Sequence, residues 1–209
     1  MEIEMKYAIP DKEVAEAIWD DEYLNKIGDQ SSRDEICMKS AYFDTDSNIL
    51  LRNDVAFRIR MEGNKVIASL KWNGISNDGL HKHEEVNVPV DDPACFLQPS
   101  PEIFKESEQG ADMIELIGDD RLHSILEMNF IRKRVRVDYG ESIMELAIDI
   151  GEILTNDEDI PICELEIELF SGDENDVIAL GNILKEKYRL VPLDASKYAR
   201  GLHLVNEPS

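Results

Sequence analysis

Charged side chains alternate with apolar ones at the start of this chain, in the order Glu2, Ile3, Glu4, Met5 and Lys6. On a β-strand, a period of two places the two carboxylates and the ammonium group on one face and the apolar side chains on the other. Carboxylate oxygens are ligands for Mg²⁺ and Mn²⁺, and an ammonium group attracts phosphate. The segment therefore has the residue types for chemistry on a polyanion assisted by a divalent cation.

The same alternation returns twice further along the chain. Residues 164–169 repeat it with three glutamates, and residues 57–61 repeat it with two arginines. Because like charges are segregated by strand, we expect them to face an enclosed cavity rather than solvent. A closed or nearly closed antiparallel barrel provides such an interior, with an apolar outer wall under helices. The buried charges would need partners or a ligand of opposite sign.

The composition limits the classes of partner. Twenty-two basic and 45 acidic residues give a formal net charge of −23, which argues against nucleic acid or an anionic membrane surface as the main partner. Phosphate binding must therefore depend on basic residues that are concentrated locally. The length suits one domain over residues 1–209.

The number and spacing of the cysteines indicate the cellular compartment of the protein. Cys37, Cys95 and Cys163 are odd in number, widely spaced and without a CxxC pair, as is typical of reduced thiols in the cytoplasm. No stretch approaches 18 apolar residues, and the charged first segment differs from a basic and then apolar leader. We expect a cytoplasmic protein that is neither exported nor membrane-spanning.

Strand-like segments alternate with turn signals along most of the chain. Amphipathic helices are expected after Pro10-Asp11 and after residue 173, and residues 91–127 form a helix-compatible insertion. Besides the first segment, the expected strands are residues 37–43, 55–61, 66–72, 84–90, 128–138, 142–150 and 162–170. The pattern predicts an α+β fold, an eight-stranded antiparallel β-barrel with helices packed outside.

Six motifs, in order, resemble those of the CYTH family, also called triphosphate tunnel metalloenzymes. ExExK is weak alone, but the series covers nearly the whole chain and is most similar to the bacterial inorganic triphosphatase branch. The motifs are Glu2-Ile3-Glu4-Met5-Lys6, Tyr42-Phe43-Asp44-Thr45, Arg58-Ile59-Arg60, Ser69-Leu70-Lys71, Glu164-Leu165-Glu166 and Ser196-Lys197-Tyr198-Ala199-Arg200-Gly201.

The resemblance implies a tunnel that holds a triphosphate on inward basic side chains and Mg²⁺ or Mn²⁺ on inward carboxylates. The phosphate-binding residues would be Lys6, Arg58, Arg60, Lys71, Arg132, Arg134 and Lys197. The metal ligands would be Glu2, Glu4, Glu164, Glu166 and Asp149, with Glu85 as a further acidic candidate. Glu4 or Glu166 would orient or deprotonate the attacking water, and Lys6 would complete the catalytic set.

One position departs from the family pattern. Members often carry an arginine two residues before the glutamate of the middle strand, where this chain has His83 before Glu85. An unperturbed histidine is charged only below about pH 6.5. Histidine at this position predicts substrate binding that is weaker or depends on pH.

Four other residues have simpler interpretations. His81 and His83, in a His-Lys-His triplet, are typical of a surface strand rather than a metal site. Glu168 is interpreted as lying outside the tunnel rim. Tyr42 is expected in the core rather than as a stacking platform.

The function that fits these residues is a metal-dependent inorganic triphosphatase, which converts triphosphate to diphosphate and phosphate. Members of the same family act on thiamine or nucleoside triphosphates or cyclise ATP, so a class IV-type adenylate cyclase or an organic triphosphatase is the alternative enzyme. A noncatalytic module that binds polyphosphate or a nucleotide is a third alternative, which loss of metal ligands would indicate. The sequence leaves the oligomeric state open.

Overall fold

The computed structural model describes residues 1–155 and 158–205 and contains one antiparallel sheet. The strands are β1 (Glu2–Ala8), β2 (Asp34–Asp44), β3 (Val55–Glu62), β4 (Lys65–Asn77), β5 (Leu80–Val90), β6 (His123–Tyr139), β7 (Ser142–Leu154), β8 (Ile160–Ser171) and β9 (Val191–Pro192). The α-helices are α1 (Lys12–Trp19), α2 (Glu22–Ile27), α3 (Ile49–Arg52), α4 (Glu108–Ile117), α5 (Glu174–Tyr188) and α6 (Lys197–Val205).

The sheet closes into a barrel because β1 hydrogen-bonds to a long strand on each side. It pairs with β8 and, through Glu2 opposite His83 and Glu4 opposite His81, with β5. The other strands follow in the order β5-β4-β3-β2-β6-β7-β8, and the short β9 lies beside β1. The predicted eight-stranded antiparallel barrel with helices outside is confirmed.

The outer wall of the barrel is apolar and lies under the helices. On one side, Tyr7 and Leu146 share a buried cluster with Leu180 of α5. On another, Phe57 of β3 packs against Phe104 from the segment between β5 and β6. Burying one large apolar side chain contributes about 1.5–3 kcal/mol, so the outer wall stabilises the barrel and leaves the lumen free to be charged.

Helix α6 covers one end of the barrel. The ring of Tyr198 stacks on that of Tyr42 with centroids 4.5 Å apart, and Tyr42 is buried as expected. Both belong to a cluster of apolar residues near this end that includes Leu126. Gly201 allows the close approach, because a Cβ there would lie 2.5 Å from the Leu126 side chain.

The observed strands are longer than the predicted ones. β5 begins at Leu80 instead of residue 84, and β6 begins at His123, within the segment that was expected to be helix-compatible up to residue 127. Pairing across the closed sheet extends both strands, with Met5 opposite Leu80 and Asp44 opposite His123. Within the described ranges, no helix is long and apolar enough to cross a membrane.

Candidate active site in the charged tunnel

Charged side chains from the barrel strands line a cavity of about 620 Å³. Ten of the twelve site residues predicted from the sequence contribute to its walls: Glu2, Glu4, Lys6, Arg58, Arg60, Lys71, Arg132, Arg134, Glu166 and Lys197. The other two, Asp149 and Glu164, are buried in contact with Lys197. The alternation of charged and apolar residues on the strands brings eleven of these side chains to one region, and α6 adds the twelfth, Lys197.

Lys197, at the start of α6, forms ion pairs with three buried carboxylates. Its Nζ lies 2.9 Å from Asp149 Oδ2, 2.7 Å from Glu164 Oε2 and 2.8 Å from Glu166 Oε1. Burial alone would lower the pKa of Lys197, but the three carboxylates outweigh it and raise that pKa. Lys197 thus stays charged and fixes the α6 end of the tunnel.

Arg132 neutralises part of the same cluster from β6. Its guanidinium donates two hydrogen bonds of 2.7 Å to the two oxygens of Asp149 and another to Glu166. Arg200 of α6 donates to the Glu164 oxygen that Lys197 does not contact. Burial would raise the pKa of Asp149, but Arg132 and Lys197 outweigh it and lower the pKa. Both oxygens of Asp149 and both of Glu164 therefore have cationic partners.

Carboxylates outnumber close cationic partners towards the opposite end of the tunnel. Glu168 lies four residues further along β8 than Glu164 and is directly opposite Glu4 of β1 and Glu145 of β7. Burial, together with the charges of Glu2, Glu4 and Glu145, raises the pKa of Glu168 to about 8. A divalent cation would relieve such an accumulation of negative charge.

Arginines of β3 supply donors to the same cavity. Arg58 Nη2 donates to Ser69 Oγ at 3.0 Å and lies 3.5 Å from Glu85 Oε1, while its buried Nε has no hydrogen-bond partner among the described residues. Burial and the charges of Arg58 and Arg132 lower the pKa of Arg60 to about 10. Unsatisfied donors and repelling guanidinium groups both favour an anionic ligand.

Three side chains that the sequence interpretation set aside also line the tunnel. Glu168 was expected outside the rim, and His81 and His83 were expected on a surface strand; both expectations are wrong. The signal was present, because Glu168 continues the period of Glu164 and Glu166, and the two histidines share the period of Glu85. His81 Nε2 donates to the Leu193 carbonyl at 2.6 Å, and burial lowers the pKa of His81.

Comparisons with known proteins place these observations in a family. The family model described as CYTH domain matches residues 1–202. An inorganic triphosphatase from Haemophilus influenzae is 29% identical over 167 residues, which are 78% of this chain and 44% of that relative, so the chain spans less than half of the relative's length.

Two solved structures have the same fold. HpAC1 from Hippeastrum, a proposed adenylyl cyclase described as having a dominant triphosphatase activity, superimposes with a TM-score of 0.72 at 22% identity, covering 100% of this chain and 98% of that one. A proposed adenylate cyclase from Bacillus halodurans superimposes with a TM-score of 0.62 at 20% identity over 96% of each chain.

Replacing Lys197 by methionine should strongly destabilise the fold. Three carboxylates would lose a partner that is itself 7% exposed, and breaking a buried ion pair from one side costs about 3–5 kcal/mol. Urea denaturation measures this loss. Lys133→Met is the control, because Lys133 pairs with the half-exposed Glu16, and a surface pair contributes about 0–1 kcal/mol. Equal stabilities of the two variants would rule out the buried network.

Glu168 should make the metal-free fold less stable as the pH rises. Its pKa is raised from 4.5 to about 8 in the folded protein, so the folded state retains a proton that the unfolded chain releases. This stabilisation is complete below pH 4.5 and is lost as the pH rises through about 8. Urea denaturation in chelator measures the free energy of unfolding at each pH. Between pH 4.5 and about 8, the wild type should lose stability relative to Glu168→Gln. Parallel curves would show that Glu168 is not protonated in the tunnel.

Proposed function

This chain belongs to the CYTH domain family, and from that premise we propose that it is a cytoplasmic, Mg²⁺- or Mn²⁺-dependent triphosphatase. Its substrate would be inorganic triphosphate, which it would convert to diphosphate and phosphate. The observation that carries the proposal is the concentration of basic side chains inside one tunnel of a chain whose net charge is −23. The similarity to the inorganic triphosphatase of Haemophilus influenzae supports the same substrate.

The substrate would be held by the basic side chains that face the cavity. Arg58 offers an unsatisfied buried Nε, and the pKa of Arg60 is lowered by burial and by neighbouring cations, so phosphate oxygens would stabilise both. Arg134, which is further out, has only longer ion-pair contacts of 3.4 and 3.8 Å. Arg132 and Lys197 already form ion pairs with carboxylates. We therefore expect them to attract the substrate mainly through the positive charge they contribute at the α6 end of the tunnel.

The carboxylates fit a divalent cation best at the end away from α6. Glu4 and Glu168 are directly opposite each other on β1 and β8, and Glu2 follows on the same face of β1. Their oxygens are the hard ligands that Mg²⁺ and Mn²⁺ prefer. Of the other predicted ligands, Glu166 faces the cavity, whereas Asp149 and Glu164 are engaged on both oxygens by Lys197, Arg132 and Arg200.

Hydrolysis needs the substrate held in line with a water molecule and charge neutralised on the phosphates. When bound, Mg²⁺ or Mn²⁺ would act as a Lewis acid on the nonbridging oxygens. Lys6 Nζ lies 2.9 Å from Glu4 and 3.2 Å from Glu166, so it fixes both candidate bases. Burial opposes ionisation of Glu166, but Lys197, Lys6 and Arg132 lower its pKa well below its ordinary value. Glu166 is consequently a weak base, and we assign the role of proton acceptor to Glu4, which contacts Lys6 and lines the cavity.

An organic triphosphate is the second candidate substrate. The lining of the cavity includes the apolar side chains of Trp72, Ile75 and Leu202 beside the charged ones. Its volume of about 620 Å³ is that of sites that enclose drug-sized ligands. Assays with inorganic triphosphate and ATP side by side, read by released phosphate and by cyclic AMP, separate the two substrates and also test for cyclisation. Binding of either compound without turnover would indicate a noncatalytic module.

Chelation should abolish hydrolysis of inorganic triphosphate, and added Mg²⁺ or Mn²⁺ should restore it. Glu4→Gln should lower turnover by about 10²-fold or more, because it removes both a metal ligand and the proposed base. Phosphate release measures turnover, and thermal melting checks that the variant remains folded. Full activity in excess chelator would contradict the metal-dependent mechanism.

Arg134→Ala should reduce turnover and weaken substrate binding, whereas Lys133→Ala should do neither. The two residues are adjacent on β6, but Arg134 lines the cavity and Lys133 binds Glu16 on the outside. Steady-state kinetics with triphosphate compares them. If Lys133→Ala were as damaging as Arg134→Ala, the alternation that defines the tunnel wall would not define the site.

A further inference from the structure

A lysine ammonium group lies among three side chains that can each bind a metal. Lys71 Nζ is 2.9 Å from His83 Nε2, 3.4 Å from Glu85 Oε2 and 3.5 Å from Glu2 Oε1. Strand pairing sets this arrangement, because Glu2 is opposite His83 and Lys71 is opposite Glu85. The three ligand side chains are only 8–16% exposed, so they form a partly enclosed tripod around a positive charge.

One ring nitrogen of His83 points into the tripod. Nε2 lies 2.9 Å from Lys71 Nζ and 3.3 Å from Glu2 Oε1, so it is the ring atom placed to coordinate. A neutral imidazole binds a metal through such a nitrogen. The tripod presents one such nitrogen and two carboxylate oxygens to the same point.

The three ligand atoms lie close enough together to enclose a small tetrahedral ion after side-chain adjustment. One atom from each of Glu2, His83 and Glu85 lies within 4.8 Å of the others, and His83 Nε2 is 3.3 Å from Glu2 Oε1 and 3.9 Å from Glu85 Oε2. Tetrahedral bonds of about 2.0–2.1 Å place ligand atoms roughly 3.3 Å apart. Small movements of the Glu85 side chain would complete that geometry.

We infer that Glu2, His83 and Glu85 form a binding site for a first-row transition-metal ion of the Zn²⁺ type. Imidazole favours Zn²⁺ over Mg²⁺, and Mg²⁺ prefers a nearly octahedral set of oxygens. The site shares Glu2 with the proposed Mg²⁺ or Mn²⁺ position at Glu4 and Glu168, and it differs from that position in its ligands His83 and Glu85. The inference goes beyond the proposed function, because it requires no turnover.

An ion bound by the tripod would displace the Lys71 ammonium group into the tunnel. The ion would take the position of the Lys71 ammonium group, because two cations cannot share it. Lys71 lines the cavity, so its displaced ammonium group would move into the space where an anion is expected. Zn²⁺ would in this way convert Lys71 from a partner of carboxylates into a free phosphate-binding group.

Zn²⁺ uptake by the metal-free full chain, without any triphosphate, tests the inference. Competition with a chromophoric chelator should give one Zn²⁺ bound at a site that millimolar Mg²⁺ does not empty. His83→Gln should weaken this binding by about tenfold or more, since it removes a ligand outright. Glu85→Gln should weaken it too, and at the same Zn²⁺ concentration the melting temperature should rise more for the wild type than for either variant.

The matched control is His123→Gln, because His123 is a half-exposed histidine outside the tunnel lining that pairs with Asp46. Its Zn²⁺ affinity should equal that of the wild type. The inference would be overturned if the wild type took up no Zn²⁺. It would also be overturned if the wild type and His83→Gln bound Zn²⁺ with equal affinity, as they would if Cys37 held the ion. Because binding is measured without substrate, failure of the proposed triphosphatase activity would leave this result unaffected.

Discussion

The need to pair buried charges inside a closed barrel constrains the rest of the structure. Carboxylates and cations enter the lumen because charged residues occupy alternate positions of its strands, and each would be costly there alone. Strand register provides the partners: Arg132 is opposite Asp149, and Asp149 is opposite Glu164. A shift of one residue in the pairing register of β6, β7 or β8 would turn the charged face of that strand towards the apolar outer wall. The charge pattern and the outer core therefore select the same register.

The two ends of the tunnel satisfy this constraint to different degrees. At the α6 end, Asp149 and Glu164 are saturated by Lys197, Arg132 and Arg200, which makes this end a rigid floor. Towards the other end, Glu168 is held protonated by burial and neighbouring carboxylates, its pKa being about 8. The end where carboxylates and cations are paired therefore stabilises the fold. The end where carboxylates lack cationic partners is the one that favours a bound cation.

Much of this architecture could be predicted from the sequence. The period of two identified the inward-facing residues and the number of long strands, because the two faces of each barrel strand meet such different surroundings. The same period also marks Glu168, His81 and His83 as facing the tunnel, but the usual preference of exposed strands for such residues led to the wrong prediction for all three. The division of the carboxylates into saturated and unsaturated groups could not be predicted, since it depends on Lys197 and Arg200 of α6 reaching Glu164 from a distant part of the chain.

The binding of inorganic triphosphate in chelator isolates the basic side chains of the tunnel from metal chemistry, so it measures directly whether the tunnel holds this anion. At a triphosphate concentration about 100 times its dissociation constant, mass action stabilises the folded state by about 2.7 kcal/mol. We expect a corresponding rise in the melting temperature of the wild type by calorimetry, and a smaller rise at the same concentration for Arg60→Ala. An unchanged melting temperature at saturating triphosphate would contradict the claim that the tunnel is built to hold this anion.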